Sequence, residues 1–127
     1  MSDDLTVQLD QLQIRQWVEN GAVWRDAGDW ARFRTVWHSD GVMMATWFQG
    51  PFEEFIRVSI AGWDKGVSIL HFLGGSSIDV VRARAIAQTK MTISQRACSL
   101  IRRHWLPFQK AIVTWPTYRP ASATRSS

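Results

Sequence analysis

The 127-residue chain is poor in the residues from which crosslinks and metal centres are built. Its single cysteine, Cys98, excludes a disulfide within one chain and a cysteine-based zinc cluster. The three histidines, which lack a close metal-ligand spacing such as HxxxH, are His38, His71 and His104. The sequence therefore predicts one domain with no metal site, stabilised by an ordinary apolar core.

Long apolar runs are also missing. Hydrophobic residues make up 46% of the chain, but no run approaches the roughly 18 residues that a membrane span requires. Residues 1–12, MSDDLTVQLDQL, carry neither the basic segment nor the continuous apolar segment of a secretory signal. We therefore expect a cytoplasmic protein that makes no membrane contact.

Acidic residues are absent from the C-terminal third of the chain. Residues 1–79 hold all eleven acidic side chains and six of the fifteen basic ones, whereas residues 80–127 hold nine basic side chains and no acidic one. A basic segment of this kind is one signature of nucleic-acid binding. Because the tryptophans that could stack on bases lie mainly outside this segment, no nucleic-acid partner is predicted.

Three helices are predicted in the first half of the chain. Apolar residues at spacings of three and four indicate a first helix over about residues 5–27, and Asp29 is a good N-cap for a short second helix. Gly50-Pro51 introduces a third helix that runs to about Gly66, with proline in its first turn. Residues 41–50, GVMMATWFQG, favour a strand between bounding glycines.

Two strand-like runs follow the helices, VSILHFLGGSSIDVV at 67–81 and RAIAQTKMTISQRA at 84–97. Gly74-Gly75 matches no phosphate-binding glycine motif, so it predicts a β-bulge or a bend in the sheet. Helices first and strands later predict an α+β fold, in which the helices cover one face of a curved antiparallel sheet. We expect a single domain over residues 1–127, whose final Ser/Thr/Ala-rich residues are disordered; KAIVTW, at 110–115, could form one strand.

One histidine lies in an apolar strand. Ile69, His71 and Leu73 share a strand face, so the imidazole is expected in an apolar setting, where it is either a hydrogen-bonded core residue or a base. A carboxylate at one ring nitrogen would fix its tautomer and stabilise the imidazolium. Asp26 and Asp29 are both candidates for that carboxylate. Asp29 already has a role as an N-cap, whereas Asp26 lies where the helix dipole disfavours an anion.

Two stretches of the chain resemble a known superfamily. They are WRDAGDWARFRTVWHSDGVMMATWFQGP at 24–51 and LHFLGGSSIDVVRARAIAQTKMTISQRA at 70–97. With VWHSDGV at 36–42 and a strand histidine followed by small residues, they resemble the SnoaL-like branch of the nuclear transport factor 2-like superfamily, particularly the group of hexachlorocyclohexane dehydrochlorinase and scytalone dehydratase. The resemblance covers about residues 5–98. It implies a cone-shaped α+β barrel, in which three helices wrap a strongly bent sheet around a deep apolar pocket.

The resemblance also implies chemistry. In lyase members an Asp at the end of the first helix pairs with a His on the first strand after the third helix, and by position these are Asp26 and His71, with His71 as the general base. The apolar residues expected to shape the pocket are Trp37, Met44, Phe55 and Phe72. The resemblance implies no cofactor, a small substrate that is apolar or is polycyclic or aromatic, and a homo-oligomer, either a dimer or a trimer.

The predicted function is therefore that of a lyase or isomerase of dehydratase type. The alternative is a non-catalytic domain of the same fold that binds a ligand or an oligomeric partner. Dehydrochlorinase-like members carry a cation about a turn and a half before the dyad Asp, where this chain has Gly21; this departure argues against halide elimination, and the choice between dehydration, isomerisation and elimination stays open.

The segment from about residue 99 departs from the family. Family members close the pocket with a further pair of long strands, and this segment matches neither of them, so we expect an open sheet edge. A shifted reading frame or a recombined gene end would explain both the mismatch and the loss of acidic residues.

Overall fold

The computed structural model describes residues 2–97 and 100–114, and the side chains of residues 4–96. The helices are α1 (Ser2–Asp26), α2 (Trp30–Arg34) and α3 (Phe52–Asp64). The strands are β1 (Val42–Met44), β2 (Gln49–Pro51), β3 (Ser68–Val81), β4 (Arg84–Ala97) and β5 (Leu100–Thr114). In this part of the chain no helix is both long and apolar enough to cross a membrane.

Residues 41–50 form a hairpin, and the prediction of one strand there is wrong. Strands β1 and β2 pair antiparallel, with Val42 opposite Pro51 and Met44 opposite Gln49. The N–H of Ala45 donates to the carbonyl of Phe48 at 2.8 Å, which closes the connecting turn. Pro51, predicted in the first turn of the third helix, is its N-cap instead.

The larger sheet has the order β3-β4-β5, and both pairings are antiparallel. Strands β3 and β4 are joined by a two-residue turn in which Arg82 has a φ of 57°. The turns that commonly close two-residue hairpins need a positive φ at their first central residue. Strand β5 pairs along the whole of β4, from Ala97 opposite Leu100 to Arg84 opposite Thr114. The segment expected to leave the sheet open therefore supplies a strand of 15 residues, longer than KAIVTW. The predicted disorder falls on residues 115–127, outside the described residues.

Strand β3 contains the predicted bulge at Gly74-Gly75. The pairs on its two sides are Leu73 with Met91 and Ser76 with Thr89, so β3 advances three residues while β4 advances two. Because side chains alternate between faces with a period of two, one extra residue changes which positions face inward. His71 before the bulge and Ile78 after it consequently face the same side of the sheet.

Helix α1 packs against β3 on this inner face. The contact is built from small and aliphatic side chains, a group that we call the helix–sheet seam: Ile14, Ile78, Ala85 and Ala87. Around α2 and α3 lies an aromatic cluster, whose buried members are Phe33, Phe52, Phe55 and Ile56. The C-terminal end of α1 reaches both regions, since Trp24 packs on the aromatic cluster and Asp26 contacts β3.

Candidate active site

Asp26 is positioned by the C-terminal cap of α1. Two backbone hydrogen bonds form the cap: the N–H of Asp29 donates to the carbonyl of Trp24 at 2.8 Å, and the N–H of Gly28 to the carbonyl of Arg25 at 3.1 Å. This pair of bonds defines a Schellman motif, which needs a left-handed residue just after the helix. Gly28 supplies that residue with a φ of 72°. The cap therefore fixes where the helix ends relative to the sheet.

His71 is positioned by β3 and by the length of α1. The side-chain amide of Gln11 donates to the carbonyl of Ile78 at 3.0 Å, and this is the second point at which α1 is tied to β3. From Gln11 to Asp26 the helix rises about 22 Å, and from Ile78 to His71 the strand extends about 23 Å. Because the two lengths agree, both contacts form at the same time.

The Asp26 carboxylate contacts His71 twice. Its Oδ2 atom accepts from the backbone N–H of His71 at 2.6 Å, and its Oδ1 atom lies 2.6 Å from Nδ1 of the ring. An ionised carboxylate can only accept hydrogen bonds, so in the neutral imidazole Nδ1 carries the proton and Nε2 holds the lone pair. No described residue forms a hydrogen bond with Nε2. The ring is thus held in the tautomer that a general base requires.

The contact lies in a largely buried setting. The side chains of His71 and Asp26 are 15% and 14% exposed, so neither is sealed from a ligand. Asp26 lies at the negative end of the α1 dipole, and its two hydrogen bonds to His71 offset that disadvantage. In the described part of the chain, strand β3 forms an edge of the larger sheet. The Asp26 carboxylate accepts from the backbone N–H of His71, which points away from β4 and would otherwise be unpaired at this edge.

Asp29, the other carboxylate considered for this role, has a different position. Its side chain accepts from the N–H of Arg32 at 3.3 Å and caps α2, as predicted. It also forms an exposed ion pair with the Arg32 side chain. Of the two candidates, only Asp26 is brought to His71.

The four predicted pocket residues fall into two groups. Phe55 is 1% exposed at the centre of the aromatic cluster, and the Trp37 ring lies 5.9 Å from it. Phe72 and Met44, in contrast, are 58% and 70% exposed. The structure does not bring these two side chains to His71: Phe72 follows His71 directly on a strand and so points to the opposite face, and Met44 lies on the exposed side of the short β1–β2 hairpin.

Arg25 is a charged residue that the sequence reasoning missed. Its guanidinium carbon lies 5.6 Å from the centroid of the Phe55 ring. Burial lowers the pKa of this guanidinium from its usual value, and the nearby Asp26 charge partly opposes that shift. The helical spacing could have revealed it, because Arg25 follows Gly21 by four residues and Val18 by seven, which continues the apolar face of α1.

Gly21 packs where the dehydrochlorinase-like members carry a cation. A β-carbon at this position would lie 3.5 Å from the Val36 side chain, which is an ordinary van der Waals contact.

Two surface depressions lie away from His71 and Asp26. One of about 350 Å³ is bordered by residues of α2 and α3, including Arg34, Glu53 and Arg57. The other, of about 240 Å³, lies beside the bulge and is bordered by Ser76, Ser77, Gln88 and Lys90 among others. Neither is bordered by the Asp26–His71 pair.

Solved structures share this fold. A conserved protein from Planctomyces limnophilus superposes with a TM-score of 0.69 at 18% identity, covering 83% of this chain and 81% of that one. A nuclear transport factor 2-like protein with a cystatin-like fold from Novosphingobium aromaticivorans superposes with a TM-score of 0.63 at 18% identity, covering 97% of this chain and 92% of that one. At these identities the likeness is one of fold, and it confirms the nuclear transport factor 2-like architecture.

Curated relatives are fungal proteins of greater length. Pea pathogenicity protein 2 of Fusarium vanettenii is 35% identical over 94 residues, which cover 72% of this chain and 40% of that protein. An uncharacterized protein of Aspergillus terreus is 34% identical over 95 residues, which cover 72% of this chain and 35% of that protein. The chain thus spans about two fifths of the length of these relatives.

The family model of the SnoaL-like domain matches residues 7–117. The likeness therefore continues past residue 98, where the resemblance was expected to end. The hypothesis of a shifted reading frame was meant to explain a mismatch with the family from about residue 99. The match to the family model removes that mismatch up to residue 117. By this match, which takes in most of its length, the chain belongs to the SnoaL-like domain family.

Proposed function

We propose that the protein is a small-molecule lyase or isomerase in which His71 acts as a general base and Asp26 orients and stabilises it. The observation that carries the proposal is the double contact between the Asp26 carboxylate and His71. A carboxylate on Nδ1 leaves Nε2 free to accept a proton and stabilises the imidazolium that results.

The proposed reaction begins at a carbon next to a carbonyl group. His71 Nε2 forms a bond to the proton, the C–H bond breaks, and the electron pair moves into an enolate. In an isomerase, the imidazolium returns the proton to another carbon. In a dehydratase, the enolate electrons expel a β-hydroxyl group, which leaves as water after it takes the proton. Both outcomes balance without an oxidant or a cofactor.

The residues around the site favour an apolar substrate of aromatic or polycyclic character. The aromatic cluster that contains Phe55 and Trp37 lies at the end of α1 that also carries Asp26, since Trp24 packs against it, so the surroundings of the site are apolar and aromatic. A homo-oligomer remains part of the proposal, since Leu70, Phe72 and Ile86 are exposed apolar residues of the larger sheet. Its mass in solution, by analytical ultracentrifugation, would test that point.

The decisive experiment is hydrogen exchange at carbon. The protein is incubated in D₂O with a panel of bicyclic ketones, with and without a β-hydroxyl group, and deuterium uptake and dehydration are followed by mass spectrometry. We expect His71→Ala to reduce the rate by a factor of about 10² to 10⁴, and Asp26→Asn to reduce it less. His38→Ala is the matched control, because Nδ1 of His38 accepts a hydrogen bond from the backbone N–H of Asp40 and none of its described contacts is with Asp26.

Three results would overturn the proposal. They are no exchange with any ketone of the panel, equal rates in wild type and His71→Ala, or equal losses in His71→Ala and His38→Ala. The alternative, a binding domain without catalysis, is favoured by the exposed apolar residues of the sheet. A ligand that binds His71→Ala as tightly as wild type, with no turnover in either protein, would establish that alternative.

A further inference from the structure

Arg25 is a partly buried cation without a hydrogen-bonding partner among the described residues. Its guanidinium lies over the Phe55 ring at 5.6 Å, and no described carboxylate lies within ion-pair distance of it. A guanidinium has five N–H donors in a planar fork that matches a carboxylate. Burying such a group is costly unless it is paired. Beyond the contact with the Phe55 ring and the nearby charge of Asp26, the donors of Arg25 have no hydrogen-bonding partner among the described residues.

A second donor beside the same ring also lacks a partner. The indole Nε1 atom of Trp37 is buried and makes no hydrogen bond within the described part of the chain, and the Trp37 ring lies 5.9 Å from Phe55. Buried polar groups in native proteins almost always have a partner. Arg25 and Trp37 thus both present donors beside the Phe55 ring for which no described residue is the acceptor.

The last turn of α1 directs Asp26 and Arg25 to different elements of the fold. Asp26 points from the last turn of the helix to His71 on β3, while Arg25, one residue earlier, points to Phe55 on α3. Successive helical residues differ by about 100° in direction, so the base and the cation lie on different sides of the same helix end.

We propose that Arg25 binds an anionic oxygen of the substrate, so that the ligands of this protein are aromatic or polycyclic carboxylates, with Trp37 as a second donor. This inference rests on the proposed function for the identity of the site and specifies its substrate class. Arg25 would act as a binding residue that places the substrate carbon against His71.

The test compares two probes of equal shape, 2-naphthoate and 2-naphthamide, by NMR titration of the 127-residue protein. We expect naphthoate to bind wild type at least about tenfold more tightly, as a charge-assisted hydrogen bond provides. Arg25→Gln should remove that preference and leave naphthamide binding unchanged, and Arg25→Lys should retain part of it. Arg32→Gln is the matched control, because Arg32 also lies over an aromatic ring, that of Trp24, but is exposed.

Several outcomes would overturn the inference. They are equal affinity of wild type for both probes, no binding of naphthoate at millimolar concentration, or equal losses in Arg25→Gln and Arg32→Gln. The comparison of probes on wild type needs no variant, so an Arg25→Gln protein that fails to fold does not prevent the test. Naphthoate binding is also measured on His71→Ala. If the preference for naphthoate survives in His71→Ala while wild type shows no proton exchange, the proposed function fails and the carboxylate site stands. If wild type exchanges protons but shows no preference for naphthoate, the carboxylate site fails and the proposed function stands.

Discussion

The two halves of β3 differ in what they contribute. The first half, Ser68–Leu73, presents His71 to Asp26 and leaves the contact slightly open. The second half, Ser76–Val81, presents Ile78 to the helix–sheet seam, where small side chains on β4 let α1 lie close to the sheet. The first half carries His71, the proposed base, and the second half packs against the helix that carries Asp26.

The bulge at Gly74-Gly75 is what allows both halves to face α1. In β3 the inward-facing positions are odd-numbered before the bulge and even-numbered after it, as His71 and Ile78 show. In β4 the inward-facing positions are odd-numbered along the whole strand. A regular strand of this sequence would turn one of these side chains outward. The position of His71 is therefore set as much by the residue count of the strand as by the residue itself.

Deleting Gly75 should have the largest effect on this comparison. Without the extra residue, one half of β3 must turn its side chains to the other face, so either His71 leaves Asp26 or Ile78 leaves the seam. We expect a loss of more than about 4 kcal/mol in the free energy of unfolding if the second half turns, and loss of proton exchange if the first half turns. Urea titration and the deuterium assay distinguish the two.

Gly75→Ala is the control for the deletion. A β-carbon at Gly75 would have nothing within 4 Å, and the residue does not have a positive φ. The substitution keeps the count of residues, so stability should change by less than about 1 kcal/mol. A deletion variant as stable and as active as Gly75→Ala would show that the bulge does not set the phase of the strand.

A cavity in the second half should come next. Ile78→Ala removes a buried aliphatic side chain from the cluster that it forms with Ala87 and Ile14, and we expect a loss of about 3 kcal/mol in the free energy of unfolding. Val81→Ala, at an exposed position of the same half, should cost less than about 0.5 kcal/mol. Urea titration measures both. Similar losses in the two variants would contradict the packing role assigned to the second half.

The sequence predicted the elements of β3 but only part of its geometry. Alternation placed Ile69, His71 and Leu73 on one face, and the glycine pair predicted the bulge, because both signals are local. The assignment of Phe72 to the pocket contradicted that same alternation, which directs its side chain to the face opposite His71. Strand β5 could not be foreseen over its full length, since its residues show weak alternation and their pairing depends on β4.

The Asp26–His71 contact required more than local signals. The residues alone left Asp26 and Asp29 open, and the resemblance to a family favoured Asp26. The physical reason for the outcome is the match between the length of α1 and that of β3, a long-range property that no spacing within one element reveals. Arg25 was in phase with the apolar face of α1, but its charge argued against an inward position, and only its contact with Phe55 places it there.

The hydroxyl pair beside the bulge should give the smallest effect. Ser76 Oγ and Thr89 Oγ1 are 2.9 Å apart, and Thr89 is buried. Ser76→Ala leaves the Thr89 hydroxyl without this partner, so we expect a loss of about 1 kcal/mol in the free energy of unfolding, measured by urea titration. Ser77→Ala, at the exposed neighbouring position, should change stability by less than about 0.5 kcal/mol. If Ser76→Ala is as stable as Ser77→Ala, the hydroxyl pair does not stabilise the junction, and the two halves of β3 are held in phase by the strand pairing on either side of the bulge alone.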